Sequence, residues 1–258
     1  CGAGAPNRQA WFLRLIALSR LALQSGRLPH TNAGPLSARE MAFLARLNPS
    51  MGLMLEGLGP RYDRAHHRAP SKLLQVRLCQ LEQAGRLGIP FTTGLLLGMG
   101  ESLQQRREAL ELLAVLQRQW GHIQEVILQP WRPDGAQAAV LSQATRTELL
   151  DTIAMARQIL PPEVHLQLPP NLWPLEQLPE ALEAGIDDLG GIDVADVINP
   201  AYPQPDPARL ATVLAAAGWL LQPRLAVHRS WIPGLPRFLR HRAQQLQRQI
   251  SSAAACGC

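Results

Sequence analysis

Hydrophobic residues recur along the chain with two periods, which alternate from one segment to the next. Apolar positions spaced three and four residues apart predict helices over residues 11–24, 37–47, 71–84, 103–119, 145–159, 175–184 and 207–217. Short, almost continuously apolar segments predict strands over residues 27–31, 50–56, 90–97, 125–129, 164–168 and 186–189. A short apolar segment and a terminal helix follow residue 217. Apolar strands that alternate with helices indicate an α/β protein with a parallel sheet.

Polar residues indicate where some of these elements begin and end. Ser37 and Glu40 have the spacing of a capping box, which predicts the start of a helix. Ser71 is expected to cap the next helix, and Gly85 is expected to end it. The segments 57–70 and 190–207 are rich in turn residues and are predicted to be loops.

The number of predicted elements indicates about six β/α units. That number fits a doubly wound sheet or a barrel-like sheet, whereas a closed barrel of the TIM type has eight units. We therefore expect either an open sheet or a chain that lacks the first two units of its barrel. Residues 1–258 are interpreted as a single partial barrel domain, in which residues 191–258 include a C-terminal extension and the terminal helix.

Composition narrows the classes of protein and partner. The chain has 258 residues, of which 47% are hydrophobic, and this content is sufficient to fill a large core. Because no long uncharged apolar run and no signal-peptide pattern occur, we expect a cytoplasmic protein that does not bind membranes. The net charge is +5, but the arginines are spread along the sequence without an aromatic-studded basic platform. We therefore expect no nucleic-acid partner.

The four cysteines predict neither a disulfide framework nor a metal site. They are Cys1, Cys79, Cys256 and Cys258, and their spacing matches no closed zinc site. Helical spacing places Cys79 beside apolar neighbours, so it is expected to be a buried thiol. We expect no metal ligands in this chain.

The carboxyl ends of parallel strands meet at one face of a β/α fold, and active sites lie there. Polar residues and glycines that follow the predicted strands are therefore the candidates for chemistry. They are His30, Thr31, Asn32, Glu56, Gly98, Gly100, Glu101, Gln129, Trp131, Arg132, Gln167, Pro169, Pro170, Asn171, Asp187 and Asp188. The sequence has no Ser-His-Asp order, zinc-protease motif or Walker loop.

One strand end has a distinctive spacing. Gly94 lies inside a predicted strand, where glycine weakens the strand unless another group must approach closely. Gly98 permits a tight turn, and Glu101 is expected to begin the next helix, where a carboxylate suits the helix dipole. The spacing alone fits both an ordinary strand-to-helix turn and a cradle for a ligand.

The segment GLLLGMGE, residues 94–101, resembles the G-x-I-x-G-x-x-E motif of radical S-adenosylmethionine enzymes. Six blocks in order resemble the deazaflavin-forming members of this family, in their second-step subunit: RLPHTNAGPLS, NPSMGLMLE, AGRLGIPFTTGLLLGMGES, GHIQEVILQ, LQLPPNLWP and EAGIDDLGGI. The resemblance implies a TIM-type barrel of which this chain covers about six of the eight units.

The resemblance also implies roles for particular residues. Gly94, Gly98 and Glu101 are expected beside the adenine of S-adenosylmethionine, and Glu56 beside its ribose or its methionine end. The expected substrate-facing residues are His30, Asn32, Gln129, Gln167 and Asn171.

The family's reaction is a radical carbon–nitrogen lyase reaction. The resemblance implies a 4Fe-4S cluster, bound by three cysteines, and S-adenosylmethionine as the source of a 5′-deoxyadenosyl radical. The implied substrate is the hydroxybenzyl-substituted ribitylimino-uracil that a partner radical enzyme makes, and the products are a deazaflavin and ammonia. The family's C-x3-C-x2-C cluster loop is absent from the printed sequence. We therefore expect the cluster cysteines upstream of Cys1 and expect this chain to be inactive alone.

Two alternatives stay open at the level of sequence. One alternative to the synthase is another radical enzyme, such as the partner subunit or a biotin-synthase relative. The other is a cluster-free barrel fragment that acts as a binding or assembly subunit. The sequence upstream of Cys1 would distinguish them, because a C-x3-C-x2-C loop there supports the synthase and its absence supports the fragment.

Overall fold

The computed structural model of the protein describes residues 7–133, 141–193, 196 and 199–255. The helices in these ranges are α1 (Arg8–Gln24), α2 (Ala38–Leu44), α3 (Pro60–Ala65), α4 (Leu74–Arg86), α5 (Leu103–Trp120), α6 (Gln143–Ile159), α7 (Leu178–Ala184), α8 (Pro207–Ala216) and α9 (Arg237–Ala255). The strands are β1 (His30–Thr31), β2 (Ser50–Gly52), β3 (Phe91–Leu97), β4 (Ile123–Pro130) and β5 (His165–Gln167). The predicted alternation of strands and helices is confirmed.

The five strands form one parallel sheet in the order β1-β2-β3-β4-β5. Each connection between neighbouring strands contains at least one helix, as parallel pairing requires. Two isolated bridges extend the sheet: Glu56 pairs with Leu95 beyond β2, and Asp188 pairs with Gln167 at a sixth strand position. The fold is therefore a partial (β/α) barrel, and the expected count of about six units is confirmed.

Side chains alternate between the two faces of the central strands. On the helix-facing side, residues such as Leu95, Val126 and Leu128 are almost fully buried beneath the helices. From α5, Leu110 and Leu113 pack into the same core with no exposed surface. Burial of one such leucine stabilises the fold by roughly 1.5–3 kcal/mol, so this layer holds the barrel wall together.

Several local predictions are wrong. The segment predicted as a loop over residues 57–70 contains α3, because Pro60 occupies the first helical position and Tyr62 anchors the helix in the interior. Ser71 lies in a 3-10 turn and caps no helix. Gly85 lies inside α4, and the chain turns instead at Gly88, whose φ is +63°.

Two further expectations are changed or lie beyond the described part. Cys79 is exposed on α4, because its position on the helix turns the thiol away from the core. Cys1, Cys256 and Cys258 lie outside the described residues. The capping box of Ser37 and Glu40 is confirmed, since each side chain accepts a hydrogen bond from the other residue's amide.

The C-terminal part of the chain returns to the opening helix. A second apolar cluster joins Leu239 and Ala243 of α9 to Leu23 of α1 and to Leu28.

All 20 acidic residues of the sequence lie between Glu40 and Asp206, so neither α1 nor α9 contains one. Among the described helices, none combines the length and the apolar content that a membrane span needs.

Candidate functional site

The inner side of the sheet lines the lumen of the partial barrel. Leu96, Ile127 and Gln129 are only half-buried, in contrast to their helix-facing neighbours, because their side chains point toward this lumen. Strand alternation places Thr92 and Gly94 on the same inner side. The carboxyl-terminal rim of the lumen is therefore built by the ends of β3 and β4.

Gly94 occurs where the wall is most tightly packed. A Cβ atom there would lie 2.4 Å from the Ile127 carbonyl oxygen and 2.8 Å from the Met54 methyl carbon. The close approach expected from the sequence is confirmed, but the approaching atoms belong to the protein itself. A ligand contact at Gly94 stays a prediction.

The turn after β3 presents an open backbone. Gly98 has a φ of +95°, and no atom lies within 4 Å of a Cβ built on it. Its amide donates to Glu101 Oε1 over 2.8 Å, and the same oxygen accepts from Arg106 Nε over 2.8 Å. The other oxygen of Glu101 is buried without a hydrogen-bond partner among the described residues. The turn is thus fixed from one side and accessible from the other.

Glu101 does not begin α5 as the sequence analysis expected. Ser102 is the N-cap, and it forms a capping box with Gln105. Because the Glu101 carboxylate precedes the helix and pairs with the buried Arg106, its main contact is this ion pair. Its expected position beside a cofactor stays a prediction.

Glu56 forms the isolated bridge beyond β2, and its backbone conformation is unusual. Its φ is +78°, the only positive value among the described non-glycine residues. The backbone is held there by hydrogen bonds with Gly94 and Leu96 of β3, and the carboxylate lies 3.2 Å from Lys72 Nζ and 3.7 Å from Arg77 Nη2. Such strain costs of order 1–3 kcal/mol and is concentrated at functional sites.

Tyr62 of α3 contacts both the end of β3 and the chain that follows Glu56. Its hydroxyl donates to the Leu96 carbonyl, and its ring fills the space beside Gly57. Burial is the main cause that raises the pKa of Tyr62 far above its ordinary value, and the nearby Glu101 carboxylate adds to it. Tyr62 is therefore a neutral hydrogen-bond donor throughout the physiological pH range.

The substrate-facing candidates differ in whether their side chains are already hydrogen-bonded within the protein. Gln129 and the exposed Asn32 have side chains free of described hydrogen bonds, and Gln129 lies at the rim. The amides of Gln167 and Asn171 are already engaged: Gln167 donates to Asp188, whereas Asn171 donates to Asp196 and to the Tyr202 carbonyl. Asn171 Oδ1 is buried and has no hydrogen-bond partner in the described part of the chain.

His30 lies at the end of the lumen opposite to the one that the sequence predicts. It is the first residue of β1 and pairs in register with Ser50 at the start of β2. Its Nδ1 is hydrogen-bonded to Ser50 Oγ, and the two atoms are 2.8 Å apart. The strand begins later than predicted, so His30 lies at the amino-terminal end of the lumen, far from the rim.

Several site residues were missed by the sequence reasoning. Contacts with Glu56, Glu101 or the end of β3 are made by Lys72, Arg77, Arg106 and Tyr62. Arg77 and Arg106 lie in helices whose spacing looks ordinary, whereas Tyr62 lies in a segment that was predicted to be a loop and Lys72 in a 3-10 turn. The Gly59-Pro60 pair was the available signal for α3, and hence for Tyr62.

An iron–sulfur cluster does not fit the described residues. Cys79 is the only cysteine among them, and it lies exposed on the outer surface of α4. These residues therefore provide no ligand set for a cluster. By contrast, the open backbone at Gly98 and the charged pair at Glu56 fit a polar cofactor with a ribose or a carboxylate.

Comparison with known proteins identifies the family. No family model matches the chain. The chain is 52% identical over 247 residues to the 7,8-didemethyl-8-hydroxy-5-deazariboflavin synthase of Synechococcus elongatus, which covers 95% of this chain and 74% of that protein. The chain belongs to the 7,8-didemethyl-8-hydroxy-5-deazariboflavin synthase family. The synthase of Thermosynechococcus vestitus is 49% identical over 244 residues, with 94% and 78% coverage.

Solved structures support the fold that this synthase family is expected to have. The FeFe-hydrogenase maturase HydG from Carboxydothermus hydrogenoformans superposes with a TM-score of 0.70 at 18% identity, covering 95% of this chain and 64% of the maturase. A second HydG structure gives a TM-score of 0.64 at 18% identity, covering 84% of this chain and 50% of that one. At this identity the likeness concerns the fold alone.

Proposed function

We propose that the protein is a radical S-adenosylmethionine enzyme, a carbon–nitrogen lyase. Its substrate would be 5-amino-5-(4-hydroxybenzyl)-6-(ribitylimino)-dihydrouracil, and its products 7,8-didemethyl-8-hydroxy-5-deazariboflavin and ammonia. The observation that carries this proposal is the 52% identity to a deazaflavin synthase over 95% of the chain.

The rim residues would bind S-adenosylmethionine. When bound, this cofactor supplies the 5′-deoxyadenosyl group that abstracts a hydrogen atom from the substrate. The Gly98 backbone leaves room for a flat adenine ring, and Glu56 is held by Lys72 and Arg77 in a position where its carboxylate can accept hydrogen bonds. Both contacts would fix the cofactor at the end of β3.

The lumen has the mixed character that the substrate requires. Leu96 and Ile127 offer apolar surface for the hydroxybenzyl ring, whereas Gln129 offers hydrogen bonds for the uracil or the ribityl chain. A site that orients a reactive intermediate needs both kinds of contact.

The proposed reaction needs an iron–sulfur cluster, for which the described residues offer no site, and a substrate that another enzyme makes. The three cluster cysteines are expected in another part of the gene product. A partner radical enzyme is expected to make the substrate, which the two proteins would pass between them.

An anaerobic coupled assay tests the proposal. The gene product that contains this chain, reconstituted with iron and sulfide, is mixed with the partner enzyme, tyrosine, the ribityl-diaminouracil, S-adenosylmethionine and a reductant. We expect a fluorescent deazaflavin, and we expect Gln129→Met to lower its rate of formation at least tenfold. The matched variant Gln244→Met, at an exposed position of α9, should behave as the unmodified protein. A cluster-loaded protein that produces no fluorescence would refute the assignment.

A further inference from the structure

A segment near the C-terminus enters the amino-terminal end of the lumen. It comprises Arg224–His228, lies between α8 and α9, and is hereafter the floor segment. Ser50 Oγ donates to the Ala226 carbonyl over 2.9 Å, and Ser50 is the first residue of β2. The segment is therefore bound to the strands at the end opposite to the rim.

Gln124 at the start of β4 holds the floor segment twice. Its Nε2 donates to the Ala226 carbonyl over 2.9 Å, and its Oε1 accepts from the His228 amide over 3.0 Å. The pairing of β3 with β4 skips Gln124, because Phe91 pairs with Ile123 and Thr92 pairs with Glu125. This β-bulge lets Gln124 and Glu125 contact the same segment, since a bulge turns one side chain out of the regular alternation.

Arg224 links the floor segment to two different strand positions. Its Nη2 lies 2.5 Å from Glu125 Oε2 and 2.7 Å from Asp188 Oδ1, and its Nε donates to the other Asp188 oxygen. Burial alone would lower the pKa of Arg224, but the hydrogen bond with Asp188 and the charge of Glu125 raise it above its ordinary value. The guanidinium is thus charged and offsets two carboxylates that have almost no contact with solvent.

His228 completes the closure at the last residue of the floor segment. Its Nε2 lies 2.9 Å from Glu125 Oε2, and its ring stacks on His165 with centroids 3.8 Å apart and planes inclined by 10°. His165 is the first residue of β5, and its Nδ1 lies 2.9 Å from Asp187. The floor segment therefore contacts four strand positions, namely β2, β4, β5 and the sixth position at Asp188.

The floor segment and the rim are separated by most of the barrel height. Gln124 contacts the floor, and Gln129 of the same strand lies at the rim. Five residues of an extended strand span about 17 Å. The floor residues are accordingly remote from the proposed cofactor contacts at Gly98 and Glu56.

We propose that the floor segment closes the amino-terminal mouth of the lumen, and that Arg224 is the positioning residue that holds it shut. The consequence for catalysis rests on the proposed function: a closed floor would keep bulk water away from a radical intermediate. Loss of the Arg224 guanidinium leaves Glu125 and Asp188 buried without their shared counter-charge. The segment should then detach, because an unpaired buried carboxylate gains solvation when the mouth opens.

Hydrogen–deuterium exchange measures the closure directly and needs no catalytic activity. In the gene product that contains this chain, we expect Arg224→Gln to speed exchange of the floor-segment amides at least tenfold. Gln124→Met removes the two hydrogen bonds to the segment without leaving a buried charge, and should speed the same amides at least threefold. The control is Arg209→Gln, which removes an arginine whose ion pair with Glu176 is exposed. Unchanged exchange in both floor variants would overturn the closure.

Gln124→Met alone decides the outcome if Arg224→Gln does not fold, as judged by circular dichroism. Activity provides a second readout: the ratio of 5′-deoxyadenosine formed to deazaflavin formed should rise at least threefold in the floor variants. Faster exchange with an unchanged ratio would overturn the water-excluding role. A wild-type protein that forms no deazaflavin would refute the proposed function, whereas the exchange experiment would still decide on the floor.

Discussion

Individual buried residues of this barrel carry measurable costs, and His122 is the most isolated of them. It lies just before β4, is 2% exposed, and has no hydrogen bond of ordinary geometry to either ring nitrogen within the described residues. Burial lowers the pKa of His122 to about 4, and the backbone of Leu81 offsets only a part of this. The folded protein therefore keeps this ring neutral where an unfolded chain would protonate it.

The free energy of unfolding should consequently fall as the pH falls. Between pH 6.5 and pH 4 the unfolded chain binds a proton at His122 that the folded chain does not, so acid favours unfolding by up to about 3 kcal/mol. His122→Phe should flatten this part of the stability profile, measured by urea unfolding at several pH values. His241→Asn, at an exposed position of α9, should leave the profile as it is. An equally steep profile in His122→Phe would contradict the assignment.

Glu101 and Arg106 form a second costly contact at the residue scale. Both side chains are almost fully buried, and Arg106 has a further hydrogen bond to Thr152. Removal of one partner of a buried pair costs about 3–5 kcal/mol, whereas exposed pairs contribute about 0–1 kcal/mol.

We therefore expect Glu101→Gln to lower the free energy of unfolding by about 3 kcal/mol. Glu176→Gln, which breaks the exposed pair with Arg209, should change it by less than about 1 kcal/mol. Denaturant unfolding measures both. Similar effects of the two variants would show that the Glu101 pair is solvated and contributes little to the turn after β3.

At the scale of elements, Gly85 shows how packing overrides local preference. Alanine is favoured over glycine inside a helix by about 1 kcal/mol, and the sequence pattern predicts that the helix ends at Gly85. In the structure a Cβ atom at Gly85 would lie 2.5 Å from Trp120 Cγ of α5. The glycine thus permits close contact between α4 and α5.

Gly85→Ala should destabilise the protein by about 1–3 kcal/mol despite the gain in helix propensity. Thermal or denaturant unfolding measures the change. In a Trp120→Leu background the same substitution should become neutral or stabilising, because the indole that it strikes is gone. A stabilising Gly85→Ala in the unmodified protein would show that α4 can shift away from α5 at little cost.

Elements with a local signal were predictable, and elements fixed by distant contacts were not. The capping box of Ser37 and the apolar run of β3 identify their elements from neighbouring residues alone. The length of β1 was overestimated, because its start depends on pairing with Ser50 rather than on its own composition. The six-residue helix α3 was missed, since its stability comes from the burial of Tyr62.

At the scale of the whole molecule, the barrel and its rim follow from sequence, whereas the floor does not. Parallel strands bring Glu56, Gly98 and Gln129 to one edge because all strands point the same way. The floor unites Glu125, Asp188 and Arg224, which lie in three separate parts of the chain. No spacing rule connects them, since only the closure of the barrel brings them within hydrogen-bonding distance.

The terminal helix α9 carries arginines but no carboxylate of its own. Every carboxylate side chain lies between Glu40 and Asp206, while α9 and the adjoining end of α1 carry arginines without acidic neighbours in sequence. Two of the α9 arginines accordingly contact neutral oxygens: Arg240 donates to the Pro233 carbonyl, and Arg242 donates to Gln245 Oε1. Added salt screens exposed ion pairs, so it should weaken these two contacts less than it weakens the pair of Arg209 with Glu176.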